Sequence, residues 1–404
     1  MVSNRSFVLH IGKERTSKKF LKNGVPHGSV LAPLLFNIYT SDLPQTTSSK
    51  YIYADDIALM ISSKSIAELN KTLSTDLTSL DRYFHQWRLK MNKTKTVSSL
   101  FHLANRLAEE TLTVSCGDSV IPFDKEPKYL GVTLDRSLTF RSHIKRIAAK
   151  VSARISLLSR LAGTGWGAFF STLRTAALAL VYSTAEYCGP VWSRSAHTHT
   201  LDTVLNASMR HIAGCLRSTP TAYLPVLSGI PPPDIRRNQR CLQLAHRANR
   251  PGHLLHASMQ EARDNVRLTS RKALIPHLKR LSDDSNGLSP DAWAMGEWTE
   301  RWNSLPENGL HAFIDHPSFR PPGCNLDRLS WSRLNRLRTG HGRFRASMFR
   351  WGFCNSPTCE CGESNQTADH ILDECSMHGC PGRESLQNLD DDFIRWLKST
   401  NLII

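Results

Sequence analysis

Two adjacent carboxylates, Asp55 and Asp56, lie between two short apolar runs, Tyr51–Tyr53 and Ile57–Ile61, and they constrain this stretch more than any other feature. Ionised side chains are almost never buried unpaired, so the pattern predicts strand, acidic turn, strand, with the pair at the tip of a hairpin. Adjacent Asp side chains there are hard oxygen ligands for Mg²⁺, which keeps several waters and takes its remaining ligands from nucleotide phosphates. An ordinary Asp-rich turn satisfies the same spacing, so the tetrapeptide Tyr53-Ala54-Asp55-Asp56 proves little alone.

Upstream, the segment Asn23-Gly24-Val25-Pro26-His27-Gly28-Ser29 places two glycines around a proline, which predicts a tight turn. Ser29 or Ala32 with Pro33 then opens a helix, proline being favoured in the first turn. Backbone N–H groups at such an entry can face an anionic or planar substrate. In this order and at this distance, the two blocks closely resemble motifs B and C of the reverse transcriptases of non-LTR retrotransposons, the jockey-like elements of animal genomes. The resemblance implies that Asp55 and Asp56 are catalytic Mg²⁺ ligands. It implies also that Gly24, Pro26, His27, Gly28 and Tyr53 shape the floor under the nucleotide and template. Implied partners are an RNA template, a DNA primer or target, and dNTP. The family usually has Gln where this chain has His27.

Ile66, Leu69, Leu73, Leu77, Leu80, Phe84 and Trp87 recur at steps of three and four, predicting an amphipathic helix over 66–90. It leads into Asn92-Lys93-Thr94-Lys95-Thr96, similar to the family's motif D, whose lysine lies near the leaving pyrophosphate; that gives Lys95 a catalytic role. Without the resemblance, Lys95 reads as a solvated cation closing a helix. Tyr129–Asp135 reads as a strand that resembles the primer-contacting hairpin joining palm to thumb, with Gly131 marking a bulge or a close backbone approach.

The chain carries 51 Lys and Arg against 35 Asp and Glu, a formal charge of +16. Such an excess favours polyanions. Residues 136–162 hold seven Lys and Arg without an acidic residue, interleaved with Ile144, Ile147, Val151, Ile155 and Leu158. One face therefore docks on protein while Arg146, Lys150 and Arg154, four apart, line up outward, with Arg141 and Lys145 nearby, to meet phosphates. Residues 328–350 repeat this sign purity with seven arginines, of which Arg343 and Arg345 are assigned to nucleic acid.

No run of eighteen apolar residues predicts a membrane span, and Met1–Arg5 does not lead into a signal-peptide core. Beyond 162 the reading is mostly helical, over Ala168–Trp192, Leu201–Leu216 and Ile235–Arg250. Trp293, Trp298 and Trp302 read as packing rather than as a base-stacking platform.

Five of the ten cysteines lie between Cys354 and Cys380. Clustered Cys and His more often bind zinc than form disulfides in a cytosolic or nuclear chain, and Cys359, Cys361, His370 and Cys375 satisfy a closed tetrahedral site for structural Zn²⁺. Cys354, His378 and Cys380 are near enough to compete. The spacing resembles the zinc knuckle at the C-terminus of non-LTR element proteins.

Two-metal nucleotidyl transfer in the family requires a third carboxylate upstream of motif B, yet before Asp42 the only acidic residue is Glu14. Asp135 imitates that motif but follows the acidic pair in sequence. The expected fold is α+β: a partial polymerase palm over 1–135, antiparallel sheet with helices; an all-helical basic thumb and connection over 136–265; and a helical region over 266–404 ending in a knuckle at 354–380. The expected function is a fragment of an RNA-directed DNA polymerase, inactive alone because motif A and the fingers are missing. The alternative is a non-catalytic RNA- or DNA-binding protein. Nucleus and cytoplasmic ribonucleoprotein are the compartments the resemblance implies.

Overall fold

The Asp pair does sit on a hairpin. In a computed structural model, which describes residues 5–21, 24–25, 28–261, 273–306, 309–363, 365–402 and 404, Ser49–Tyr53 pairs antiparallel with Asp56–Met60, Tyr53 opposite Asp56. Contacts divide the protein into two compact units, Met1–Tyr129 with Asp135–Leu138, and Leu130–Leu134 with Thr139–Ile404.

The first unit has mixed structure. Its antiparallel strands form separate two-stranded pairs: Arg5–Phe7 with Lys19–Leu21, His10–Ile11 with Glu14–Arg15, the acidic hairpin, and Val114–Cys116 with Ser119–Ile121. A two-stranded hairpin is marginal in water without something to pack on, and the Ile66–Gln86 helix supplies it. Leu69 and Leu77 pack with Val114, Cys116 and Ile121, joined by the partly buried Leu59 and Ile61 of the acidic hairpin. Buried Asp76 on this helix accepts N–H bonds from Thr47 (3.1 Å) and Ser48 (2.8 Å), tying down the entry to the hairpin. The Ser65 hydroxyl accepts from Glu68 N–H (3.3 Å) and starts the helix. It stops at Gln86 rather than at 90, because Arg88 takes a φ of 56° and Trp87 turns edge-on to Tyr39, centroids 5.2 Å apart. By contrast, Tyr51, Ile52, Tyr53, Leu34 and Ile38 are exposed.

The second unit is helical. Arg141–Ser159 packs on Thr198–Ala213, burying Ile144, Ile147, Val151, Ile155 and Leu158 against Leu201, Leu205, Met209 and Ile212 in one core. Pro233–Ala248, Leu274–Asp284 and Pro290–Asn303 follow. Trp298 and Trp302 are almost fully buried there and Trp293 is buried; Trp302 stacks on His311 at 4.1 Å. The apolar segment Ala168–Trp192 is helical in pieces. Phe170–Ala176 widens into a π-helical stretch, Ala177–Tyr182, and Cys188, at φ 51°, separates Ser183–Ala185 from Gly189–Trp192. The expected strand over Tyr129–Asp135 is interrupted too, since Leu130 and Gly131 have φ of 44° and 85°. A Cβ on Gly131 would stand 2.9 Å from the Tyr187 ring, which is the close approach a glycine permits.

His143 lies in this core, 3% exposed. Its Nδ1 accepts from Thr133 N–H (3.1 Å) and its Nε2 has no partner. Burial, then the neighbouring Arg146 and Lys150, push its pKa down to about 4. A depressed imidazole pKa means that the unfolded chain binds more protons between the two values, so stability is present above about 6.5 and is lost as pH falls toward 4. Urea titrations across this window should show a loss on the order of 2–3 kcal/mol, largely absent in His143→Gln. Equal pH slopes in both proteins would remove His143 as the cause.

Candidate nucleic-acid and metal sites

At the hairpin tip, Ala54 takes a left-handed φ of 53°, which turns the chain and leaves Asp55, Asp56 and Tyr53 exposed. Tyr129 is close enough for Asp56 to help burial raise its phenol pKa. Among the described residues, the groups of three or more potential metal ligands lie elsewhere. Among the described residues no third carboxylate, Asp135 included, joins Asp55 and Asp56 at ligand distance.

Gly24 and Gly28 have φ of 83° and 80°, as a tight turn requires, and the Ser29 hydroxyl accepts from Ala32 N–H (3.1 Å) to open the Ala32–Tyr39 helix with Pro33 in its first turn. Pro26 and His27 lie outside the described residues. Lys95 is exposed in a turn held by Asn92, whose side-chain oxygen accepts from Lys95 N–H (3.2 Å).

The basic helix keeps part of its expected display, with Arg146 and Lys150 exposed and Arg154 half-buried. Arg146 donates to the Thr133 hydroxyl (3.0 Å) and Arg154 to Leu180 O (2.6 Å), so both guanidiniums bend back onto the protein. Arg141, Lys145 and Lys150 are exposed. Arg146 stays exposed despite its bond, so four of these five cations face solvent and only Arg154 is half-buried.

The second arginine block turns largely inward. On the Arg328–Thr339 helix, Arg328, Arg336 and Arg338 are buried. Arg328 donates to Ile212 O (2.9 Å), His211 O (2.7 Å), Ala162 O (3.1 Å) and Gly163 O (3.4 Å). Asn335 donates to Ala213 O (2.8 Å), Arg336 to Gly214 O (3.0 Å) and Trp331 to Ile212 O (3.0 Å). These bonds satisfy the carbonyls that the Thr198–Ala213 helix leaves open at its C-terminus, where cations are also favoured by the helix dipole. Gly214, at φ 71°, lets the two helices meet: a Cβ there would fall 2.2 Å from Ser332 Oγ. Burial holds the Arg328 and Arg338 guanidiniums down to about 10 and about 9. Arg345 pairs with Glu360 (2.8 Å). Arg343 alone of the two assigned residues is exposed and free of an ion pair among the described residues.

The tail gathers Cys359, Cys361, His370 and Cys375, their ligand atoms all within 4.8 Å of one another. Ligands 2.3 Å from a common tetrahedral centre stand about 3.8 Å apart. Cys359 Sγ and Cys375 Sγ are 3.7 Å apart, and Cys361 Sγ lies 3.2 Å from His370 Nε2. Cys359, His370 and Cys375 are buried. Burial raises the Cys359 thiol pKa, but bonds from Cys361, His370 and Cys375 outweigh it and bring it down to about 6. The same cluster raises the Cys361 thiol and the His370 imidazole, so metal binding there would release protons. His370 Nδ1 faces Glu374 Oε2 (3.3 Å), which orients the ring so that Nε2 points inward. Of the competing residues, Cys354 Sγ contacts Arg345 O and Ser356 O instead. His378 forms a second group with Cys359 and Glu360. Gln366 was missed as a supporting residue: its Nε2 donates to Cys359 Sγ (3.8 Å) and Glu360 Oε2 (2.9 Å), while its Oε1 accepts from Arg345 N–H (3.0 Å). Spacing does not reveal such a residue, because it ligates nothing.

Residues 2–134 match the reverse transcriptase (RNA-dependent DNA polymerase) family. The chain is 30% identical over 232 residues to a probable RNA-directed DNA polymerase from transposon BS of Drosophila melanogaster, covering 53% of this chain and 25% of that protein. It is 25% identical over 386 residues to a Pol polyprotein from the type-1 retrotransposable element R1 2 of Nasonia vitripennis, covering 91% and 87%. It is 35% identical over 156 residues to the RNA-directed DNA polymerase from mobile element jockey of Drosophila funebris, covering 36% and 17%. The chain thus spans a quarter of the BS protein and a smaller share of the jockey one. No solved structure matches. Among the described residues no helix is long and apolar enough to cross a membrane.

Proposed function

The chain is related to the jockey-like reverse transcriptases of non-LTR retrotransposons, and we propose that it is a portion of such an RNA-directed DNA polymerase: part of the palm, a basic helical thumb and a zinc-binding tail. The acidic hairpin within the matched region carries this reading. In the whole enzyme, Asp55 and Asp56 hold Mg²⁺, which neutralises developing charge as a primer 3′-hydroxyl attacks the α-phosphate of dNTP. Gly24, Pro26, His27, Gly28 and Tyr53 form the nucleotide and template floor. Lys95 stands toward the leaving pyrophosphate, and Arg141, Lys145 and Lys150 meet nucleic-acid phosphates. Cys359, Cys361, His370 and Cys375 hold one structural Zn²⁺. The nucleus and a cytoplasmic ribonucleoprotein are the corresponding compartments.

The isolation of the Asp55–Asp56 pair favours a second reading in which the chain alone binds nucleic acid without catalysis. Two carboxylates from one turn do not fix both metals. Primer extension on poly(rA)/oligo(dT) with Mg²⁺ or Mn²⁺ should therefore give no templated incorporation. Extension that Asp55→Ala abolishes would show that a third ligand is present after all.

A further inference from the structure

Beside the Cys/His cluster is an open, mostly apolar hollow of about 460 Å³, within the size range of small-ligand sites, about 300–1,000 Å³. Its wall combines Leu216, Met348, Trp351 and Phe353 with Arg217 and Arg343. Other aromatics of the second unit are exposed as well, Trp166 and Phe169 among them, but this hollow combines two properties within one wall. The first is aromatic exposure: Phe353 is 73% exposed and Trp351 38%, whereas Trp192, Trp298, Trp302 and Trp331 are spent on the core. The second is free charge. Arg328, Arg336 and Arg338 are consumed by backbone carbonyls and Arg345 by Glu360, but among the described residues neither Arg217 nor Arg343 has an ion-pair partner, and both are exposed.

We propose that this hollow is a binding site for single-stranded nucleic acid, in which Trp351 and Phe353 stack an unpaired base while Arg217 and Arg343 meet the adjoining phosphates. Aromatic faces accept any unstacked base, and guanidiniums bind phosphate bidentately. A duplex offers the phosphates but keeps its bases stacked, so the aromatics discriminate for single strands. An acidic peptide would satisfy the arginines yet leave the two rings in water. The wall is also positioned from the metal cluster. Arg345–Arg350 ends at Trp351, whose N–H bonds Ser347 O (3.1 Å), and Phe353 N–H bonds Met348 O (2.8 Å). The start of this helix is held by Gln366, whose O accepts from Ala346 N–H (3.2 Å) and whose Oε1 accepts from Arg345 N–H, while its Nε2 reaches Cys359. Met348-Phe349-Arg350-Trp351-Gly352-Phe353 carries the signal in sequence, aromatics at every second position interleaved with arginine.

The inference rests on the nucleic-acid reading above, and the test separates the two. Fluorescence anisotropy of the full chain would be measured on labelled single-stranded RNA and DNA of about 12 nucleotides and on duplex DNA, at several salt concentrations. Trp351→Ala and Phe353→Ala should each weaken single-strand binding about tenfold and leave duplex binding within about twofold, while Trp351→Tyr, which keeps a stacking ring, should retain it. Arg217→Gln with Arg343→Gln should reduce the single-strand salt slope by about 1.4. Alanine variants that bind single strands as tightly as the parent, or that lose duplex binding equally, would overturn the hollow while salt-dependent binding by the parent upholds the broader reading. A parent chain with no salt-dependent binding to any of the probes would remove both.

Discussion

One equivalent of zinc per chain should copurify with the protein, and stripping it should unfold the tail around residues 354–380. Four ligand atoms within 4.8 Å have no disulfide to hold them, all ten cysteines being free. Three like-charged thiolates would repel one another without a cation, so the packing of Cys359 and Cys375 at 3.7 Å demands either protonation or metal. Structural zinc binding supplies on the order of 10 kcal/mol of folding free energy in segments too short for a core. Cys375→Ser and His370→Ala should lose the metal; Cys354→Ser and Cys380→Ser should keep it. Hydrogen exchange on the intact chain with and without a strong chelator would report the unfolding. Zinc retained in Cys375→Ser but lost in Cys380→Ser would refute this ligand set, and loss through His378→Ala alone would point to the alternative group with Glu360.

The second large effect concerns two arginines that sequence cannot distinguish. Arg328→Met should destabilise the protein by about 3–5 kcal/mol, because it strips four carbonyls of a shared donor in a buried place. Arg338→Met should be neutral or stabilise by about 1–2 kcal/mol. Arg338 is 2% exposed and donates to Pro322 O (2.8 Å), yet its Nε and Nη2 have no partner. A buried charge with unmet donors costs more in lost hydration than one bond returns, and methionine fills similar space with flexible apolar atoms. Denaturant midpoints of both variants at neutral pH decide the matter. Equal destabilisation would mean that Arg338 has satisfied donors in solution and that its burial is better compensated than the geometry indicates.

Local order was legible wherever a repeating pattern determined which side of an element faced protein. The stripe from Ile66 to Phe84 gave the helix, and Leu69, Leu77 and Leu80 are buried as that stripe requires. The spacing of Cys359, Cys361, His370 and Cys375 points to the four residues that the tail gathers, since so short a stretch of chain leaves few arrangements. The hairpin at Asp55 and Asp56 was equally local. Helix boundaries were less legible, because Arg88 and Cys188 take left-handed φ values that no propensity assigns to them.

Charge was where sequence reading and structure parted. Residues 136–162 and 328–350 look alike in composition, both rich in Lys and Arg and free of acid. In the first, Arg141, Lys145 and Lys150 stay in water; in the second, Arg328, Arg336 and Arg338 turn inward. What separates them is the end of a helix more than a hundred residues away in sequence, whose open carbonyls at His211, Ile212, Ala213 and Gly214 need donors. An arginine beside such an end finds its acceptors in backbone rather than in solvent or phosphate. The sequence by itself determined which segments are amphipathic, where the acidic turn lies and which short stretch clusters potential metal ligands, because those properties depend on neighbours a few positions apart. Only the tertiary structure decided which cations remain free for a nucleic acid and which are consumed in the core, because that depends on carbonyls brought in by a distant helix, and burial alone converts a phosphate-binding side chain into a structural one.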